Sequence, residues 1–298
     1  MSAQSNVHSE MRCPVCDRSD TVVFAFERNG NTIHSCKRCR LEFLFPQPAE
    51  ETLASIYSDE YFLGSRDEQS LARQELLKRA TARLYLDALA PFVPQQRPRL
   101  LEIGCGSGDF LIEARFRGFD VEGLEYSEHA VNNANARLGV VAVRTGSPEE
   151  KCLPDGAYDI IAAFDVVEHL RNPRRSIEYL HAALRPGGRI AIVTPSIDSW
   201  SRHLLGRHWM EYKTEHLTYF GRKSLGQLLE AAGFDVIRFF PNYKTLSVDY
   251  ISAHFDRFPV PVASSAVRLF RKALPARLAH RPIRVVASGM MVIAGKRG

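Results

Sequence analysis

Apolar runs alternating with helical stretches over the last two thirds of the chain predict an α/β fold, and three observations carry that reading. The runs fall near 99–103, 119–124, 139–143, 158–164, 188–194 and 234–240, the pattern of a mostly parallel sheet with helices on both faces. The first run ends in a glycine-rich turn, Gly104-Cys105-Gly106-Ser107-Gly108. Two Cys-x-x-Cys pairs stand ahead of all of this, so a small separate unit precedes the sheet. With 298 residues, 45% hydrophobic and 24% charged, the chain has material for one main domain and a small appendage.

In chain order, Met1 to Glu10 is polar and lacks the apolar stretch of an export signal, and no run approaches the roughly 20 apolar residues of a bilayer span. A cytoplasmic protein is expected. Cys13, Cys16, Cys36 and Cys39 form C-x2-C-x19-C-x2-C, which in that compartment reads as a metal site rather than disulfides. Thr21–Phe26 and Thr32–Ser35 flank Asn29-Gly30-Asn31, a hairpin that lets the two cysteine turns meet. Four thiolates close a tetrahedral shell, so the Zn2+ would be structural. Asp17 and Arg40 follow the pairs where many such turns carry glycine.

Pro46-Gln47-Pro48 marks the end of this ribbon, placed at 1–48. A helical linker and cap follows at 49–98, with helical spacing from Arg66 to Ala90 at Leu77, Ala80, Leu84 and Ala88. Residues 99–298 form the cofactor-binding domain, with a basic insertion at about 242–283 and an antiparallel last strand from Arg284 to Ala294.

Glycines at 104, 106 and 108 let the backbone approach a ligand and turn into the helix of Phe110 to Phe116. The spacing G-x-G-x-G disfavours a dinucleotide pyrophosphate site, and with it a nicotinamide oxidoreductase. Glu102 precedes the turn with a carboxylate for a cationic amino group, and Glu125 ends the second strand where an acid accepts from ribose hydroxyls.

Leu100 to Asp109 resembles motif I of the class I S-adenosylmethionine (SAM) methyltransferases. Tyr158 to Leu170 resembles their fourth strand and its loop, and Leu184-Arg185-Pro186-Gly187-Gly188-Arg189 the turn before their fifth. The resemblance covers about Arg66 to Phe240 and implies a Rossmann-like methyltransferase sheet. It also implies that Glu102, Gly104, Cys105, Gly106 and Gly108 hold the methionine moiety, and that Glu125, with Tyr126 beside it, holds the ribose. Ser147 would lie near adenine, and Phe164 and Asp165 would line the pocket floor between cofactor and acceptor.

The acceptor is expected beyond the carboxyl ends of strands four and five. Thr194 to His216 is read as a long loop there, rich in Trp200, His203, His208, Trp209, Tyr212 and His216. Glu215-His216-Leu217-Thr218-Tyr219-Phe220 resembles a segment of two groups, the ubiquinone-type O-methyltransferases and the zinc-containing sugar C-methyltransferases. The second group also carries an N-terminal cysteine ribbon and a Glu-His pair, with a further C-terminal domain that is not expected here. His216 and His169 are the candidate bases because imidazole titrates near neutrality, and Glu215 would orient His216 or act itself. The plain alternative for each histidine is loop packing or capping.

The net charge of +5 is uneven: Pro241 to Gly298 holds ten Lys or Arg against two Asp, +8, which leaves −3 for the rest. Within the insertion Val262, Ala266, Leu269, Phe270, Ala273 and Leu274 recur at helical spacing opposite Arg268, Arg271 and Lys272. Two readings stand, an interfacial helix at the inner face of the membrane or a helix packed on the domain with a solvated basic face. The function expected is methyl transfer from SAM to a small molecule, sugar or lipid-linked glycan, with oxygen favoured. Its rival is a binding module, a zinc ribbon and basic tail acting on nucleic acid, with a methyltransferase-like scaffold that only binds SAM or nothing. Nucleic acid is not an expected partner, since no basic patch interleaved with aromatics appears in the ribbon.

Overall fold

The computed structural model describes residues 11–56, 68–93, 97–257, 259–260 and 263–297. Met1–Glu10, the helix start expected at Arg66, and Val262 lie outside them. The chain opens with β1 (Val22–Arg28), β2 (Asn31–Cys36) and β3 (Glu42–Leu44). Asn29 and Gly30 both have positive φ, 52° and 75°, the mirror-image turn whose twist suits a two-residue hairpin. Asp17 and Arg40 take the left-handed conformation, φ 55° and 63°, so the glycine positions of the cysteine turns are filled by ordinary residues in the same geometry.

Helices α1 (Glu50–Ile56) and α2 (Glu68–Leu89) follow. In α2 the buried stripe is Leu77, Ala82, Tyr85, Leu86 and Leu89; the expected Ala80, Leu84 and Ala88 lie beside it, half-buried. The α/β domain then runs β4 (Arg99–Ile103), α3 (Asp109–Phe116), β5 (Asp120–Glu125), α4 (Glu128–Leu138), β6 (Val143–Thr145), β7 (Tyr158–Phe164), α5 (Pro173–Ala183) and β8 (Leu184–Pro195). After it come α6 (Trp200–Leu205), β9 (Thr218–Tyr219), α7 (Arg222–Ala231) and β10 (Phe234–Leu246). The insertion contributes α8 (Val248–Arg257), α9 (Ala263–Ala273) and α10 (Ala276–Ala279), and β11 (Ile283–Lys296) closes the chain.

The main sheet has the order β10-β11-β8-β7-β4-β5-β6. Strands β6, β5, β4, β7 and β8 are parallel, and β11 lies antiparallel between β8 and β10. The third strand begins at Val143 rather than 139, because α4 continues to Leu138 and Gly139 caps it in the left-handed conformation. The turn expected before the fifth strand is absorbed into β8 as an irregularity, where Tyr158 faces Leu184 but Ile160 faces Arg189.

Two cores cover the sheet. On one face α2, α3 and α4 pack Leu86, Leu111 and Ala134 against Leu100 and Ile160. On the other α5 and α7 pack Ile177, Leu180 and Leu228 against Ile161 and Ile192, and this core continues into Cys13, Cys36, Leu41 and Phe43. The cysteine unit, the small appendage expected at 1–48, packs against the main domain. Its sheet, β1-β2-β3-β9, takes its fourth strand from Thr218–Tyr219 of the main domain.

The aromatic segment after β8 also differs from a long loop. Ser199 caps α6 by accepting from the Arg202 N–H, and Trp209 and Tyr212 are buried with Ile33, Leu44, Leu53 and Leu217. These aromatics join the cysteine sheet to the domain instead of forming one recognition surface. In the insertion α9 meets the protein through buried Ser264 and half-buried Val267 and Arg271, while Ala266, Leu269, Phe270 and Ala273 face solvent. The apolar stripe of α9 thus points outward beside the exposed Arg268 and Lys272, while the helix is held to α8 by ion pairs. No helix among the described residues is long and apolar enough to cross a membrane.

Candidate functional site

Strands β4 and β7 are adjacent and parallel, and the chain leaves them towards opposite ends of the sheet. A crevice opens at the carboxyl ends of such a pair. Gly104, at the end of β4, has φ 66°, and a Cβ on it would stand 2.6 Å from Val166 Cγ2 in the loop after β7. Only glycine satisfies both the dihedral and the approach. Gly106 and Gly108 continue with positive φ into α3, whose first residue, Asp109, is held by Ser107 Oγ and by Arg137, each at 2.8 Å.

Glu125, at the end of β5, closes this turn. Its two oxygens accept the N–H groups of Gly106 at 2.9 Å and Ser127 at 3.1 Å, and a carboxylate retains lone pairs for further donors. Glu102 is buried in the central strand, and its Oε2 has no hydrogen-bond partner among the described residues. Burial, then Asp109 and Glu125, hold its carboxyl well above the usual range. A buried carboxyl beside a cradle of bare backbone lacks a cationic partner. These residues could hold a SAM-type nucleoside bearing an amino group.

Cys105 is buried within the turn, and burial pushes its thiol up. Tyr126 stands at the rim, 62% exposed. Ser147 lies past β6, where its Oγ accepts the Glu149 N–H at 3.2 Å. Phe164 is half-buried between Tyr85 and Phe110, with ring centroids 4.7 and 4.8 Å away, and packs against the core. Asp165 takes φ 55° and accepts from Lys244 Nζ at 2.7 Å. Lys244 was not legible as a site residue. It lies on β10, beyond the part that covers the sheet, and only the pairing of β10 with β11 brings it there.

The histidines meet. His169 and His216 pack edge to face with centroids 4.8 Å apart. Leu217 N–H donates to the Glu168 carbonyl at 2.8 Å, which ties the segment after His216 to the loop after β7. His169 Nδ1 bonds the Glu215 carbonyl and His216 Nδ1 the Glu211 carbonyl, both at 2.9 Å. A carbonyl only accepts, so each Nδ1 carries a proton and each Nε2 is the basic nitrogen. Burial lowers both pKa values, His216 well below the ordinary imidazole range. The expected pairing of Glu215 with His216 is corrected: Glu211 holds His216, and Glu215 serves His169 through its backbone.

Glu168 was also missed, although its place beside His169 was a usable signal. It is buried, Thr194 Oγ1 donates to its Oε2 at 2.9 Å, and its Oε1 has no partner among the described residues. Burial, then Asp165, push its carboxyl up to about 8. The ligand-type atoms of Glu168, His169 and His216 lie within 4.8 Å of one another, a group that can share a proton or close on a cation. The four cysteines are equally close, with Sγ atoms 3.4 Å apart for Cys13 and Cys39 and 3.6 Å for Cys16 and Cys36. A cavity of about 360 Å³ opens on the far side of Glu215, between Arg28 of the hairpin, Met210, Lys213 and Val260.

Residues 72–238 match a family described as "Methyltransferase domain", more than half of the chain. A Mycolicibacterium smegmatis protein named "Probable S-adenosylmethionine-dependent methyltransferase" is 34% identical over 140 residues, 46% of this chain and 52% of that one. A "Ubiquinone biosynthesis O-methyltransferase" of a Caulobacter species is 32% identical over 107 residues, 34% of this chain and 42% of its own length. The chain thus spans about half the length of the curated relatives it matches. Among solved structures, a SAM-dependent methyltransferase of Thermotoga maritima superposes with a TM-score of 0.51 at 19% identity, over 80% of this chain and all of that one. That likeness establishes the Rossmann-like methyltransferase fold.

Proposed function

Since the chain belongs to the methyltransferase-domain family, we propose that it is an enzyme that moves the methyl group of SAM to a small molecule, sugar or lipid-linked glycan, with oxygen as the favoured acceptor atom. The observation that carries this reading is Glu102, a buried carboxyl just ahead of a glycine cradle, with an oxygen that has no partner among the described residues. Glu102 takes the amino group of the cofactor, and Gly104 to Gly108, with Cys105 behind them, give it backbone to lie against. Glu125 accepts from the ribose beside Tyr126, Ser147 stands near the adenine, and Phe164 with Asp165 walls the crevice. The cofactor, when bound, supplies an activated methyl group with its own leaving group.

What the chain must then do is align the acceptor and remove a proton. His216 takes that proton on Nε2, with His169 against its ring and Glu168 beneath. Burial lowers its pKa, so the ring is neutral at neutral pH and its Nε2 lone pair is free to accept, although a lowered pKa also makes it a weaker base. The name of the Caulobacter relative supports oxygen as the acceptor atom.

The four cysteines hold one structural Zn2+ in the same proposal. Sulfurs bound tetrahedrally at about 2.3 Å stand about 3.8 Å apart, near the separations of 3.4 and 3.6 Å found here. The metal would keep β3 in place as the partner of β9, the strand that follows His216.

Calorimetric titration with S-adenosylhomocysteine tests the first part. One site per chain with a micromolar Kd is expected, and no heat up to millimolar ligand would leave only a scaffold. Metal analysis tests the second: one zinc per chain, lost in Cys13→Ser/Cys16→Ser, is expected. A double variant that keeps its zinc would remove the cysteines as ligands.

A further inference from the structure

We propose that the insertion docks this protein on an anionic phospholipid bilayer through the outward face of α9. The inference does not depend on methyl transfer. Helix α9 is attached to the protein by its polar side: Arg271 bonds Asp249 of α8 at 2.5 Å, Arg268 bonds Asp256 of α8 at 3.1 Å, and Ser264 is buried. A surface helix ordinarily does the reverse, apolar stripe in and charge out. Here Leu269 is 72% and Phe270 58% exposed, and exposed Ala266 and Ala273 complete a stripe about a third of the circumference wide. The next helix adds Leu278, also exposed.

Charge complementarity names the occupant. Lys272 on α9, Arg277 on α10 and Arg281 beyond it are exposed and have no acidic partner among the described residues. Arg284 stacks on Tyr243 at 3.9 Å and keeps its charge. An apolar stripe bordered by cations suits acyl chains under phosphate headgroups, with the Lys and Arg stems lying along the boundary. A second copy seated on the same patch would set Lys272 and its neighbours against themselves. Nucleic acid would use the cations and leave Leu269 and Phe270 without a role.

The insertion is continuous with the crevice. Lys244, the partner of Asp165, sits at the end of β10 just before α8. Docking through α9 would therefore hold the acceptor side of the domain near the bilayer.

The test is co-sedimentation of the full chain with phosphatidylcholine vesicles, with and without about 30% phosphatidylglycerol, alongside Leu269→Ser/Phe270→Ser. The anionic vesicles should bind the protein at least about tenfold more tightly than the neutral ones. The double substitution keeps every charge and should remove about tenfold of that affinity. Equal binding to both vesicle types, or an unaffected variant, overturns the proposal. So does a wild-type dimer in solution that the double variant converts to monomer, because the stripe would then be a self-association face. S-adenosylhomocysteine affinity, measured on the same samples, should be identical in both proteins; its absence in both would refute the cofactor reading and leave this one standing.

Discussion

The glycine turn follows β4 and the histidine cluster draws on the loop after its neighbour β7, yet they are built in different ways. The turn is local: Glu102, Gly104, Gly106 and Glu125 lie along a single strand-turn-helix-strand unit, and backbone N–H groups close it through Glu125. The cluster is assembled from three places, the loop after β7, the end of β8 and the segment before β9. Burial disfavours charge on its groups, pushing the Glu168 carboxyl up to about 8 and His216 well below the ordinary imidazole range. The contrast teaches that one half is specified by conformation and the other by desolvation. Each half should fail in its own way.

The largest effect is expected from His216→Ala. Loss of a general base costs about 10²- to 10⁴-fold in turnover, while S-adenosylhomocysteine affinity should stay within about twofold. A parallel loss of affinity would show that the two halves are one unit. Gly104→Ala should produce the opposite pattern. The new Cβ meets Val166, so cofactor affinity should fall about tenfold or more and the melting temperature should drop, with strain of roughly 1–2 kcal/mol. Adding Val166→Ala should restore part of the affinity, and an unimproved double variant would locate the fault in the dihedral alone.

A smaller effect comes from pH. With its folded pKa below the ordinary 6.5, His216 remains a neutral base through neutral pH, so the rate should be level there and fall only as acid protonates the ring. Stability has the same direction. Below about pH 6.5 the unfolded imidazole binds a proton that the folded one refuses, so stability is lost as pH falls, by up to about 1.4 kcal/mol per pH unit. Glu168 acts the other way, since its folded pKa near 8 favours the fold at lower pH. Comparing urea midpoints of wild type and His216→Ala at acid and neutral pH separates the two. A variant with the same acid loss as wild type would remove His216 as its source.

The α/β fold and the glycine turn were legible because their signals are short-range. Strand period, glycine spacing and the acid at Glu125 each occupy one stretch of chain, and the strands appear within a few residues of their expected places. His216 and His169 could be suspected as residue types, but their contact could not, nor the part played by Glu211 in place of Glu215. Glu168, set between Val167 and His169, could be suspected from its neighbour but its burial could not, and Lys244, a lysine on a strand, carries no mark of its surroundings. The aromatic segment misled in the same way: Trp209 and Tyr212 suit a binding loop by composition, and burial against Ile33 and Leu44 makes them a joint.

By itself the sequence determined the sheet, its glycine cradle and the four-cysteine cluster, because backbone dihedrals and ligand spacing act over a few residues. Tertiary structure alone decided that the cysteine sheet borrows Thr218–Tyr219 and that the histidines meet. It also decided that α9 turns its apolar stripe outward. Those outcomes depend on which surfaces exclude water from one another, and desolvation is a property of neighbours that the linear chain does not carry.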